Sequence, residues 1–270
     1  MLPDATFTAI VLSAQRTGAV DPLAAAHNVS HKCVVPIGGK PLIVHAVEAL
    51  LATPGIARVR IVVEPAMDAP LRALLPVTTT KVDFVPAADN LADSVFAATA
   101  GVDGPLIVTT ADNVLLTPGA VTAMLRTITT IADVGIAMAT KYAVLTAHPE
   151  GQRRFYRFAD DEYSNCNLYG FAGAHAIAAA ESFRSGGQFA KKPMRLLAAV
   201  GVVNVVLMLT KQLSLKSALA RLGKRFKLRV APVVLADGSH AIDVDNERTY
   251  NCAALLLEKR AQTGGIRAAA

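Results

Sequence analysis

The chain has 270 residues, 53% of them hydrophobic and 18% charged, with a formal net charge of +6. That much apolar material fills the core of one large domain and excludes a disordered chain. Much of the cationic surplus falls late, in Lys191-Lys192 and the run Lys224-Arg225-Phe226-Lys227-Leu228-Arg229, without the interleaved aromatics of a base-stacking surface, so no nucleic-acid partner is expected.

Cys33, Cys166 and Cys252 lie too far apart for a zinc knuckle and make no disulfide framework, as in a reducing compartment. The N-terminus enters a strand almost at once, without a basic region and cleavage site, so no signal peptide and a cytoplasmic location are expected.

The first half alternates strands and helices. Phe7–Leu12 reads as a buried strand that empties into a long polar loop, Ser13 to Lys32. Pro41 can open a helix continuing over Leu42–Leu51, which Pro54-Gly55 stops. Val59–Val63 and Val82–Val85 read as strands, Asp68–Leu75 and Leu91–Ala100 as helices, and Leu106–Thr110 as a covered parallel strand. Thr117-Pro118 starts the next helix, with Thr as N-cap and Pro at the first position. This rhythm argues for a parallel sheet covered by helices.

The second half is less regular. Val134–Thr140 is a strand, and Arg153–Phe158 and Asn167–Phe171 read as two strands separated by a turn at Asp160-Asp161. Ala174–Phe183 and Leu215–Leu222 read as helices, Arg229–Leu235 as the final strand and Thr249–Gln262 as the last helix. Leu196–Leu209 is almost wholly apolar but too short for a membrane span of roughly 20 residues. It is expected to be a helical cover over a cleft, with a weak membrane contact as the competing reading. The expected organisation is one domain over 1–262, in which 141–230 supplies the acceptor side and the apolar cover, and a flexible tail over 263–270.

Asp112 stands out because it follows the apolar strand Leu106–Thr110 and so lies at the carboxyl edge of the sheet, where ligands bind. A carboxylate there can hold Mg²⁺ against the phosphates of a nucleotide, and Asn113 can add a weaker oxygen contact. A second carboxylate must come from elsewhere, and Asp243-Val244-Asp245-Asn246 offers it: Asp243 and Asp245 share one face of an extended segment, with Asp245 the stronger ligand choice and helix capping the competing role. Arg16 can clamp phosphate oxygens and Lys32 can supply a compact positive charge; Lys40, beside Pro41, is either a third cation or a surface residue. Asp93-Ser94 can read a base or ribose, or cap the helix they begin. Cys166 is expected to be structural. A P-loop, a dinucleotide fingerprint, a hydrolase elbow and a metalloprotease helix are all absent from the sequence.

The combination of the Leu12–Lys32 loop, Pro36-Ile37-Gly38-Gly39-Lys40-Pro41, Thr110-Ala111-Asp112 and Ile242-Asp243-Val244-Asp245 resembles the MobA-like nucleotidyltransferases, within the sugar-phosphate nucleotidylyltransferase group. The resemblance implies a Rossmann-like three-layer α/β sandwich with a mixed, mainly parallel sheet. It implies a Mg²⁺-dependent transfer of a nucleoside monophosphate from an NTP to a phosphorylated sugar, polyol or other small alcohol, with release of pyrophosphate. Leu12, Ser13, Ala14, Gln15 and Gly18 then match the nucleotide-binding signature, with Ser13-Ala14-Gln15 replacing its usual glycine-rich opening. Arg16 and Lys32 match the phosphate-binding cations, Asp93 and Ser94 the base or ribose contacts, and Asp112 and Asp245 the metal aspartates. Arg153, Asn167, Lys191 and Lys192 lie where acceptor-side contacts are expected. A nucleotide-sugar-dependent glycosyltransferase and a non-catalytic nucleotide-sensing module are the alternatives, and the base stays open among CTP, GTP and UTP.

Overall fold

The computed structural model of the chain describes residues 6–15, 20–173, 175–177 and 212–268. Arg16, Gly18, Lys191, Lys192 and the apolar stretch Leu196–Leu209 lie outside the described residues. The chain runs through β1 (Phe7–Leu12), α1 (Pro22–Ala26), the two-residue strands β2 (Pro36–Ile37) and β3 (Lys40–Pro41), α2 (Leu42–Leu51), β4 (Ile56–Val63), α3 (Asp68–Leu74), β5 (Lys81–Pro86), α4 (Leu91–Thr99), β6 (Leu106–Thr110), α5 (Pro118–Thr130), β7 (Val134–Thr140) and α6 (Lys141–Ala147). It continues with β8 (Tyr156–Arg157), β9 (Glu162–Phe171), α7 (Leu215–Arg225), β10 (Val230–Val234), a 3-10 turn at Gly238–Ala241 and α8 (Glu247–Ala268).

Eight strands form one sheet in the order β10-β7-β9-β6-β1-β4-β5, with β8 added beside β9, and β2 and β3 pair with each other in a separate two-stranded sheet. β1 pairs in parallel with β4 and β6, β4 with β5, and β10 with β7; β9 runs antiparallel to β6, β7 and β8. The result is a Rossmann-like α/β fold with a mixed, mainly parallel sheet.

Both sheet faces are covered, and the sequence of β1 states why. Phe7, Ala9 and Val11 enter one core with residues of α2, α5 and α8, including Leu42, Met124 and Leu256. Ile10 and Leu12 point the other way, into a core with Ala98 of α4, Val62, Leu106 and Ile177. A strand apolar at every position but Thr8 is what this two-sided burial demands.

Several elements differ from the sequence-based expectation. The stretch read as two strands, Arg153–Phe158 and Asn167–Phe171, contains only the short β8 and a ten-residue β9 that begins at Glu162. Polar Ser164, Asn165 and Asn167 hide β9, because they are interspersed among buried Tyr163, Cys166 and Leu168 and break the run of apolar residues. Helices α1 and α6 were not anticipated. Each has a side-chain cap: Asp21 accepts from Leu23 N and Ala24 N, and Thr140 accepts from Ala143 N. Pro41 is the N-cap of α2 and also pairs in β3, so that helix starts at Leu42.

The turn at 238–241 is seated directly on α6. A Cβ placed at Gly238 would lie 2.1 Å from the Ala143 carbonyl carbon and 2.2 Å from Val144 N, both backbone atoms that cannot rotate away. We therefore expect Gly238→Ala to lower stability by on the order of 1–3 kcal/mol or more through overpacking, read as a reduced midpoint in denaturant unfolding. An unchanged midpoint would show that the turn is not held against α6 in this way.

Candidate active site

Three parallel strands, β1, β4 and β6, end on one edge of the sheet, followed by Ser13, Glu64 and Asp112 respectively. β9 enters from the opposite direction, with Leu168 opposite Thr109, which brings Asn165 and Asn167 beside the end of β6. β10 ends on the same edge, and the 3-10 turn behind it delivers Asp243 and Asp245. Backbone bonds tie these loops together. Leu12 O accepts from Ala111 N at 3.0 Å, and Asp112 O accepts from Val244 N at 3.1 Å.

Lys32 stands at the centre. It opens a one-turn 3-10 helix at the return of the first loop, and its Nζ donates to Asp112 Oδ2 at 2.6 Å and to Asp245 Oδ1 at 3.0 Å. Lys32 and Asp112 are largely covered, whereas the Asp245 side chain is 63% exposed and borders the open side. Burial alone would lower the Lys32 pKa; the charges of Asp112 and Asp245 and their hydrogen bonds outweigh it, so the ammonium is held above its ordinary value.

A third carboxylate lies behind this pair. Asp243 is buried, and its Oδ2 accepts from Asn167 Nδ2 at 2.6 Å. Burial, followed by the charges of Asp112 and Asp245, raises its pKa well above the ordinary 3.8. Asn167 reaches it from a left-handed backbone conformation, φ +43°, at an irregularity in the β7–β9 pairing, and asparagine tolerates that region better than most residues. Asn165 Nδ2 donates to Asn167 Oδ1 at 3.0 Å and also to the Tyr169 hydroxyl, so β9 carries a polar ladder that orients the Asn167 amide. Burial pushes Tyr169 up to about 12, which keeps its phenol neutral.

The donor set suits a hard divalent cation. Asp112 Oδ1 and Asp243 Oδ1 are both buried and lack a hydrogen-bond partner among the described residues, so two oxygen acceptors have no donor. Among those residues, however, no three His, Cys, Asp or Glu side chains converge as a finished metal cage. Instead the ammonium of Lys32 bridges Asp112 and Asp245.

The remaining sequence candidates divide by what they touch. Ser13 is buried, its Oγ has no hydrogen-bond partner among the described residues, and its N–H extends the β1–β4 ladder to Val62 O at 2.9 Å. Gln15 braces the loop: its side chain donates to Ser30 O at 2.8 Å, and its N–H donates to Glu64 Oε1 at 2.8 Å. Asp93 and Ser94 sit in the first turn of α4. Asn90 accepts from Asp93 N and donates to Asp93 Oδ2, while Ser94 Oγ accepts from Ala88 N at 3.0 Å, so both fix the β5–α4 loop. Arg153 is exposed and pairs with Glu150 at 3.0 Å, and Lys40 pairs with Glu48. Asn113 is buried and donates to Thr109 Oγ1 and Cys166 O, which locks the loop after β6 to β9. Cys166 is fully buried, with its thiol pKa raised by that burial. Glu64, which the sequence reading passed over, lies 3.6 Å from His31 and takes the Gln15 N–H; its place just after strand β4, matching that of Asp112 after β6, was the available signal.

Asp243 makes a prediction whose sign is fixed by its environment. The folded state holds its proton more tightly than the unfolded chain does, so its carboxylate penalises folding least below about pH 3.8 and increasingly as pH rises through the elevated folded value. Asp243→Asn keeps an acceptor for Asn167 and removes the buried charge. Thermal unfolding across pH should show this variant more stable than wild type near neutrality, with the difference shrinking in acid. A variant less stable than wild type at every pH would contradict the uncompensated-charge account.

The sequence profile of the MobA-like NTP transferase domain matches residues 25–225. None of the curated proteins matches the sequence. Among solved structures, a hypothetical transferase from Thermus thermophilus superposes with a TM-score of 0.74 at 23% identity, covering 91% of this chain and 99% of that one. A 4-diphosphocytidyl-2C-methyl-D-erythritol synthase from Anaerococcus prevotii gives 0.62 at 10% identity, over 95% and 98%. A CMP:2-keto-3-deoxy-manno-octonic acid synthetase complexed with CTP gives 0.59 at 14% identity, over 96% and 100%. These likenesses are of fold, and the profile match supplies the family. The chain belongs to the MobA-like NTP transferase domain family, and its activity is of the nucleotidyltransferase type.

Proposed function

We propose that this protein transfers a nucleoside monophosphate from an NTP to a phosphorylated sugar, polyol or other small alcohol, releasing pyrophosphate, with Mg²⁺ as the divalent cation. The observation that carries the reading is the meeting of Asp112 and Asp245, from loops far apart in sequence, on one lysine at the carboxyl edge of the sheet. Asp112 and Asp245 would hold the cation, with Asp243 behind them. Bound there, it would supply charge neutralisation across the phosphate oxygens.

In the proposed reaction an acceptor phosphate oxygen attacks the α-phosphorus. A new P–O bond forms, the bond from the α-phosphorus to the oxygen bridging the β-phosphorus breaks, and pyrophosphate departs with that bond's electron pair. The acceptor phosphate is already ionised near neutrality, so no protein nucleophile is required. Lys32 can turn its ammonium from the carboxylates to a phosphate oxygen, where it stabilises charge that grows on the leaving group. Arg16 is proposed to share that task, and Lys191 and Lys192 to meet the acceptor phosphate. The net charge of +6 supports an anionic acceptor. Two of the fold relatives carry cytidine nucleotides in their names, which makes CTP the first NTP to assay. One of them is named for a sugar acid, so sugar acids belong in the acceptor panel.

The direct test is incubation with Mg²⁺, each of the common NTPs and a panel of phosphorylated and acidic acceptors, with pyrophosphate release as the readout. Tight NTP binding with no pyrophosphate from any pair would reject the catalytic reading. Asp112→Asn should reduce turnover by on the order of 100-fold or more.

Lys32 offers a separate check. Its removal should weaken NTP binding while freeing the Asp112–Asp245 pair from an internal competitor. Added Mn²⁺ should therefore raise the melting temperature of Lys32→Met more than that of wild type. A smaller Mn²⁺ shift in the variant would show that the ammonium does not compete for this site.

A further inference from the structure

Asp112 and Asp245 stand on two loops far apart in sequence, and one side chain behind them bonds to both. Arg260, on α8, donates through Nη1 to Leu115 O at 2.8 Å, on the loop that carries Asp112. Through Nη2 it donates to Asp237 Oδ2 at 3.1 Å and Ser239 Oγ at 2.7 Å, on the turn that leads to Asp243 and Asp245. One planar guanidinium thus clasps both loops, a geometry its fixed fork of donors permits and a lysine ammonium does not reproduce.

A second strut runs parallel to it. His240 Nδ1 faces Asp237 O at 2.8 Å, and because a carbonyl only accepts, Nδ1 carries the hydrogen. Nε2 then accepts from the hydroxyl of Thr117 at 2.9 Å, and Thr117 Oγ1 in turn caps α5 through Ala120 N. Asp237 also accepts from Ser239 N at 2.9 Å, which closes the turn on itself. The far side of the turn is pinned by the close seating of Gly238 on α6. Held from both sides, the turn leaves Asp243 and Asp245 little room to move relative to Asp112.

We propose that Arg260 is a positioning residue for the carboxylate site, fixing the separation of Asp112 from Asp245 by bonding Leu115 on one loop and Asp237 and Ser239 on the other, with His240 and Thr117 as the second strut. The inference rests on the reading of these carboxylates as the cation site of a nucleotidyltransferase. Arg260 bonds none of the three aspartates and acts only through Leu115, Asp237 and Ser239. Outer partners of metal ligands typically alter affinity by about 10–100-fold when removed, and Arg260 is expected to behave as such a partner.

The test uses the full chain and reads Mn²⁺ binding by electron paramagnetic resonance, with and without CTP, in wild type, Arg260→Met, Arg260→Lys and Thr117→Val. Unfolding midpoints are measured on the same samples. The expected result is folded Arg260 variants whose Mn²⁺ affinity falls by about tenfold or more, with no rescue by lysine, and a smaller loss in Thr117→Val. Unchanged Mn²⁺ affinity in folded Arg260→Met or Arg260→Lys would overturn the proposal. If Arg260→Met fails to fold, Arg260→Lys decides, because it keeps the charge and loses only the two-loop clasp. Wild type that binds no Mn²⁺ in either condition would instead reject the underlying reading of the carboxylate site, and the proposal with it.

Discussion

The site is organised around a problem of like charge. Asp112 and Asp245 both touch one nitrogen, so their nearest oxygens lie within about 6 Å, where two carboxylates repel by about 3 kcal/mol at an effective dielectric near 20. Asp243 adds a third acid from behind, too buried to be screened by water. A folded chain tolerates this by importing positive charge, and among the described residues Lys32 supplies the ammonium that pairs with Asp112 and Asp245. Among the described residues, one cation against three acids leaves the cluster short of positive charge. The raised pKa of Asp243 and the two carboxylate oxygens that lack a donor among those residues are separate signs of the same deficit.

That deficit connects stability to function. A buried carboxylate that fills no structural need should give way to a neutral or apolar residue of similar size, because desolvation outweighs what it gains. Asp243 is nonetheless provided with its own donor, Asn167, itself held by Asn165 on a strand that bulges to present it. The chain keeps an unfavourable charge in place with an irregular strand and a left-handed asparagine, an arrangement that the proposed cation site would account for and packing does not.

Much of this was legible in the sequence where the signal was local. The apolar residues of β1, β4 and β6 read directly as strands over Phe7–Leu12, Val59–Val63 and Leu106–Thr110, and Thr117-Pro118 marks a helix start by its own chemistry. The same signature at Asp21-Pro22 went unread because it sits inside a polar loop, and α6 follows β7 with no turn residue between them, leaving only Thr140 as a marker. Asp112 was legible from the strand before it. Its partnership with Lys32, 80 residues away, and that of Asp245, 213 residues from the same lysine, depend on the sheet order and could not be read along the chain. Asn167 was noticed for its polar setting, but its contact with Asp243 depends on a bulge, and the period-2 pattern that would reveal β9 is masked by the asparagines the bulge presents. Arg260 has no local signal, since a helical arginine near the C-terminus reads as a solvated charge until the two loops beneath it are seen.

The first loop shows how a departure in sequence is absorbed by structure. Glycines at such a turn let the backbone approach an anion freely, and their loss at Ser13-Ala14-Gln15 would be expected to stiffen or displace it. Here Ser13 simply prolongs the strand, through its N–H to Val62 O, and Gln15 closes the loop with side-chain bonds to both ends: its amide donates to Ser30 O and its carbonyl accepts from Asp21 N at 3.4 Å. Backbone freedom is exchanged for a side-chain clasp, and the clasp has a consequence for Lys32. Ser30 is two residues before it, so the bond that fixes the start of the loop also fixes the point from which the lysine reaches Asp112 and Asp245. The point from which Lys32 reaches the two carboxylates is thus braced by a glutamine that carries no charge.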